Sequence, residues 1–151
     1  MKILMVCLGN ICRSPLAEGI LNNELTLLGK KHIVVQSAGT ASFHVGEHPD
    51  NRAIKIAKKH NIDISKHKAQ MFKHKMFENF DRIYVMDKSN YYDVITLSKN
   101  EIEASKVDFL LNFTNKCPNQ DVIDPWYGNE NDFEKVFTQL ENVCSELARS
   151  L

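Results

Sequence analysis

Cys7 and Arg13 bracket the short segment Cys7-Leu8-Gly9-Asn10-Ile11-Cys12-Arg13-Ser14 near the start of the chain. A thiol and a guanidinium at this spacing can serve one anion. Gly9 permits a tight backbone path. Main-chain amides of such a loop can point inward as an anion nest, and a helix starting at its end adds a favourable field. Arg13 offers a planar fork for two phosphate oxygens. The same positive surroundings favour the thiolate of Cys7, the form that attacks. One loop thereby combines a nucleophile with a phosphate cradle. The bare spacing is loose, and a buried cysteine beside a surface arginine satisfies it too. Two other phosphate loops are excluded, because neither GxxxxGK[ST] nor GxGxxG occurs.

The elements that must position this loop alternate between strand and helix. Lys2 to Cys7 is a short apolar run and predicts a buried strand. Ser14 can cap a helix with Pro15 at its first position. Leu16, Ile20 and Leu27, beside Ala17, Leu21 and Leu28, supply its buried face, and Gly29 ends it. Further strands are predicted at residues 32–37, 81–86 and 107–111, and further helices at 50–60 and 90–97. Residues 115–128 read as a loop. The last helix is the plainest, with Phe133, Val136, Phe137, Leu140, Val143, Cys144 and Leu147 on one face. Such alternation implies a parallel sheet covered on both faces. Ligands bind such sheets beyond the carboxyl ends of strands, where Cys7 to Ser14 lies.

The 151 residues suit a single domain spanning 1–151. Basic and acidic side chains balance at 19 each, which argues against a broad basic face for nucleic acid. No apolar run approaches the roughly 20 residues of a membrane span. Met1-Lys2 before Ile3 to Val6 resembles the start of a secretion signal, but Asn10 and Arg13 follow at once, so a buried strand and a cytoplasmic protein are expected. The four cysteines form no CxxC pair and should be reduced in that compartment. Cys144 reads as core, and Cys117 sits in a polar loop without evident role. His44 and His48 lack a third ligand, so no metal is expected. Lys55, Lys58 and Lys59 form a basic, solvated helix face.

Val6-Cys7-Leu8-Gly9-Asn10-Ile11-Cys12-Arg13-Ser14-Pro15 resembles the signature of the low-molecular-weight protein tyrosine phosphatases. Ser37-Ala38-Gly39-Thr40, Met86-Asp87 and Asp124-Pro125-Trp126-Tyr127-Gly128 also resemble that family, in its order and spacing. The resemblance implies a three-layer α/β fold, phosphatase I-like with flavodoxin-like winding, in which a four-stranded parallel sheet is flanked by helices on both faces. It implies phosphate-monoester hydrolysis without a cofactor, phosphotyrosine-containing proteins as partners, and a monomer or weak dimer.

Residue by residue, the resemblance implies Cys7 as nucleophile, Arg13 and the loop residues Leu8, Gly9, Asn10, Ile11, Cys12 and Ser14 as phosphate-binding, and Asp124 as general acid and base. Asn10 would hold the loop through side-chain bonds to backbone, and Ser14 would serve both the Cys7 sulfur and the helix cap. His67 matches a histidine that braces the loop, although Gln70 stands where an arginine is usual. Cys12 would form a reversible disulfide with Cys7, guarding it from over-oxidation. Phe43, Trp126 and Tyr127 would wall a slot for a phenolic ring. Related arsenate reductases need two more cysteines after the third strand, and Val85-Met86-Asp87-Lys88-Ser89-Asn90 has none. Arginine phosphatases carry threonine at the place of Ile11 and a small residue at that of Tyr127. The remaining alternative is a non-catalytic phosphotyrosine-binding module.

Overall fold

The computed structural model describes residues 1–114 and 116–151. Asn115, at the start of the expected loop, lies outside the described residues. Strand β1 (Lys2–Cys7) alternates as a pleated strand must. Ile3, Met5 and Cys7 enter one core cluster, while Leu4 and Val6 enter the other. Both faces of β1 are therefore covered, which explains why it reads as a continuous apolar run.

Three more strands complete the sheet: β2 (Val34–Gly39), β3 (Arg82–Val85) and β4 (Val107–Phe109). Their order is β2-β1-β3-β4, and every pairing is parallel. The expected α/β architecture is thus observed. β2 begins and ends two residues later than expected, because Lys2 pairs with Val34 and Cys7 with Gly39. β4 stops at Phe109, the partner of the last β3 residue, Val85. Beyond it the chain winds into a 3₁₀ turn, Leu110–Phe113, instead of continuing the strand.

Helices α1 (Arg13–Leu27), α2 (Asn51–Lys59) and α6 (Glu130–Ser150) belong to the cluster on one face. α3 (Met76–Asn79) and α4 (Lys88–Thr96) contribute Phe77 and Val94 to the opposite cluster. A single turn, α5 (Glu101–Ala104), buries nothing. α1 starts at Arg13, so Pro15 is its third residue rather than its first, and no side chain caps it. Pro15 still costs no bond, since the first amides of a helix have no partner within it. The α1 face also differs: Leu27 and Leu28 are exposed, and Leu25, one turn beyond Leu21, is buried. α4 begins two residues early because the Asp87 side chain accepts from the Asn90 amide and caps it.

The sheet's winding reverses at β1, with β2 on one side and β3 on the other. The loops leaving the carboxyl ends of these strands meet there, which is the usual ligand position in such folds.

Candidate active site

The Cys7 loop is held from below by side chains. Asn10 is fully buried and takes the left-handed conformation, with φ 57°. It donates from Nδ2 to Ser14 Oγ and to Ser37 Oγ, both at 2.9 Å. Its Oδ1 meets His67 Nε2 at 3.0 Å and accepts from the Gln70 amide at 2.9 Å. Asn10 therefore binds mostly side chains, and only one main-chain amide, where backbone bonds were expected. Its own amide lies 3.3 Å from Cys7 Sγ.

Ser14 Oγ lies 3.0 Å from Cys7 Sγ. Since the Ser14 oxygen accepts from Asn10, its own proton can turn to the sulfur or to the Ala38 carbonyl oxygen, 3.4 Å away. The helix-capping role expected of Ser14 is absent, because this hydroxyl faces into the loop.

Glycine acts here by close approach. Gly9 has no positive φ; a Cβ on it would stand 3.1 Å from the His44 ring. A Cβ on Gly39 would stand 2.7 Å from the Leu8 carbonyl oxygen, so β2 presses its last residue against the loop.

Arg13 is buried, with 3% exposure. Nη1 donates to Asp87 Oδ2 at 2.7 Å and to the Val122 carbonyl at 2.9 Å. Nη2 lies 3.3 Å from Asp124 Oδ2. Burial alone would lower the guanidinium pKa, but the neighbouring Cys7, Asp124 and Asp87 outweigh it and push it upward. Cys12 is buried in the same loop. Burial, then Asp50, Cys7 and Asp124, push its thiol above the ordinary range. Burial lowers the pKa of His67 and raises that of Glu18, whose Oε2 lies 3.4 Å from His67 Nδ1.

A pocket of about 230 Å³ opens over this loop. Cys7, Leu8, Gly9, Ile11, Cys12 and Arg13 form its floor, Asp124 its rim, and Phe43, His44, Trp126 and Tyr127 its walls. Trp126 donates its amide to Asp124 Oδ1 at 3.1 Å, and Gly128 closes the turn by donating to the Pro125 carbonyl. Asn10 and Ser14, expected among the phosphate-binding residues, and His67 do not line this pocket; their side chains form the network described above.

Several contributors were not foreseen from sequence. Asp87 was noted only in a motif, yet its carboxylate makes the shorter of two ion pairs with Arg13. His44 was weighed only as a metal ligand. It instead packs over Gly9, 5.5 Å from the Trp126 ring, with Nδ1 2.7 Å from Glu47 Oε2. His48 turns elsewhere, its Nδ1 lying 3.2 Å from the His67 carbonyl oxygen. Gln70, counted against the bracing of the loop, joins it by its amide and by Nε2 donating to the Ser37 carbonyl.

A buried thiol beside a braced arginine, at the switch point of a parallel sheet, suits the class of α/β enzymes whose ligand is an oxyanion. Comparison with known proteins narrows the class. Residues 2–151 match the model of the family "Low molecular weight phosphotyrosine protein phosphatase". The Saccharomyces cerevisiae low molecular weight phosphotyrosine protein phosphatase is 40% identical over 145 residues, covering 92% of this chain and 88% of that protein. A crystal structure of protein tyrosine phosphatase from Entamoeba histolytica superposes with TM-score 0.91 and 34% identity, covering 97% of this chain and 94% of that one. The arginine phosphatase YwlE of Bacillus subtilis shares the fold at TM-score 0.88 with 24% identity, covering 100% and 95% of the two chains. The chain belongs to the low molecular weight phosphotyrosine protein phosphatase family and is an enzyme of that class.

Proposed function

We propose that this chain hydrolyses phosphotyrosine in proteins, and small aryl phosphates, through a phosphocysteine on Cys7. The observation that carries this reading is that Cys7, Arg13 and Asp124 share one pocket with aromatic walls. Cys7 Sγ attacks phosphorus in line; the S–P bond forms as the bond to the phenol oxygen breaks. Charge gathers on three equatorial oxygens, which Arg13 and the loop amides bind. A phenolate, with a pKa of about 10, leaves poorly without a proton. Asp124 supplies it from the pocket rim. As phosphate takes over Arg13 Nη2, the Asp124 carboxyl is released to face the leaving-group oxygen. In the second step Asp124 takes a proton from water, water oxygen bonds to phosphorus, and the S–P bond breaks to release phosphate and the thiolate.

The walls support a flat ring. Phe43 and Tyr127 are well exposed at the mouth, where a peptide would pass, while Ile11 is buried in the floor. A serine phosphate is too short to reach the loop equally well. Ile11 and Tyr127 also favour a phenol over a guanidine. Cys12 stands as a redox guard: peroxide converts Cys7 to a sulfenic acid with loss of water, and Cys12 then displaces a second water to form the disulfide.

Rates on phosphotyrosine, phosphoarginine and phosphoserine peptides, with arsenate reduction alongside, test this reading. Phosphotyrosine is expected to react fastest, and Cys7→Ser to abolish turnover while phosphate still binds. Faster phosphoarginine hydrolysis, or turnover by Cys7→Ser, would overturn it.

A further inference from the structure

The loop that carries Asp124 receives two hydrogen bonds from the Arg52 side chain, outside the pocket. Arg52 is the second residue of α2, where a cation opposes the helix dipole. It folds back over the helix start. Nε donates to Asp50 Oδ1 and Nη2 to Asp50 Oδ2, both at 3.0 Å. Nη1 also donates to the Gly128 carbonyl and Nη2 to the Trp126 carbonyl, again at 3.0 Å each. The guanidinium lies 4.6 Å from the centre of the Phe133 ring and 5.8 Å from that of Trp126.

These bonds connect two loops. The Asp50 amide donates to the Ile11 carbonyl in the phosphate loop at 2.8 Å. From Ile11 the path runs through Asp50 to Arg52, then to the carbonyls on either side of Tyr127. Trp126 in turn gives its amide to Asp124. At the far end, a Cβ on Gly128 would overlap the Asp132 carboxylate, which is engaged in the Asn129–Asp132 capping box of α6. The acid loop is thus pinned on both sides. A planar five-donor fork can join a carboxylate and two carbonyls at once, whereas an ammonium cannot reach all three.

We propose that Arg52 is a positioning residue for proton transfer: it sets the height of the Asp124 loop over Cys7 and acts on the reaction only through Asp124. The proposal rests on Asp124 being the acid, as argued above. Positioning of this kind matters because a displacement of about 1 Å can cost roughly 10²-fold in rate.

The test compares kcat/KM for phenyl phosphate with that for dinitrophenyl phosphate, whose leaving group departs without a proton, in R52M, R52K and D124N. R52M is expected to lose roughly 10- to 100-fold on phenyl phosphate, within the range a general acid supplies, and less than about threefold on the dinitrophenyl ester. Inhibition by inorganic phosphate should stay within about twofold, because Arg52 does not line the pocket and the Asp50 amide keeps its own bond to Ile11. In the D124N background, R52M should add no further leaving-group-dependent loss. If R52M does not fold, R52K, which keeps the charge without the fork, is expected to show the same selectivity in smaller measure. Equal losses on both esters, unchanged rates, or additive losses with D124N would overturn the role of Arg52 while leaving Asp124 as acid. A D124N enzyme without leaving-group selectivity would instead remove Asp124 from the acid role, and the proposal for Arg52 with it.

Discussion

Arg13 and Asp87 are 74 residues apart in sequence, yet Arg13 Nη1 donates to Asp87 Oδ2 at 2.7 Å with the guanidinium buried. The geometry follows from β1 and β3 being neighbours in register, Val6 against Val85, so that the loops after them meet. Asp87 holds one edge of the fork and leaves Nη2 facing the pocket rim. Replacing Asp87 by Asn keeps the α4 cap, since Asn caps as well as Asp, but removes the charge that aligns Arg13. A charge-assisted bond of this kind is worth about 1.5–3 kcal/mol, or roughly 10- to 100-fold. Asp87→Asn is therefore expected to weaken phosphate inhibition and to lower kcat/KM by roughly that factor, read in a steady-state assay on an aryl phosphate. Unaltered inhibition would mean that the Val122 carbonyl suffices to orient Arg13.

This pair also marks where sequence reasoning stops. The apolar run of β1 and the long apolar stripe of α6 were legible because each residue reports its own burial. The loop from Cys7 to Ser14 was legible because its chemistry is local. Asp87, His44 and Arg52 carry no such local signal, since their importance comes from what the sheet order and loop packing bring beside them. Gly39 stood out only within Ser37-Ala38-Gly39-Thr40, beyond the strand expected at 32–37; it is the strand residue pressed on the phosphate loop. The single turns α3 and α5 are too short to show a period.

Asn10 joins four partners from three parts of the chain, and a residue without a side chain there isolates their contribution. Asn10→Gly tolerates the left-handed backbone, so strain does not enter. It leaves Ser14, Ser37, His67 and the Gln70 amide without their buried partner. One such loss costs about 2 kcal/mol, which for a domain of this size is roughly 4–8 °C in Tm. Thermal unfolding followed by circular dichroism measures it, and a smaller shift would mean that water fills the gap.

Asp50 gives a pH signature. The hydrogen bonds from Arg52 hold its carboxyl below the usual aspartate range. A depressed folded-state pKa contributes stability that is present above the unfolded value, about 3.9, and is lost as the pH falls through the folded one. The Tm difference between the wild type and Asp50→Asn is therefore expected to be largest near neutrality and to shrink as the pH drops below about 4. Melting curves across the acid range read it directly. A difference independent of pH would overturn this, because Asn caps α2 as well as Asp does and only the carboxylate charge distinguishes the two.

Cys12 makes the opposite kind of prediction. Its thiol is pushed upward by burial first and then by the negative charges around it. If Cys12 resolves an oxidised Cys7, it does so as a thiolate, and that fraction rises with pH. The rate of disulfide closure after a fixed peroxide pulse is thus expected to climb steadily through the alkaline range. At lower pH a second peroxide should compete better and yield sulfinic acid at Cys7. Mass spectrometry of quenched samples separates the two products. Replacing Asp50 by Asn removes one of the charges that hold the Cys12 thiol protonated, so closure in that variant should be faster at any given pH. A rate that does not vary with pH, in either protein, would show that Cys12 attack does not limit the protection of Cys7.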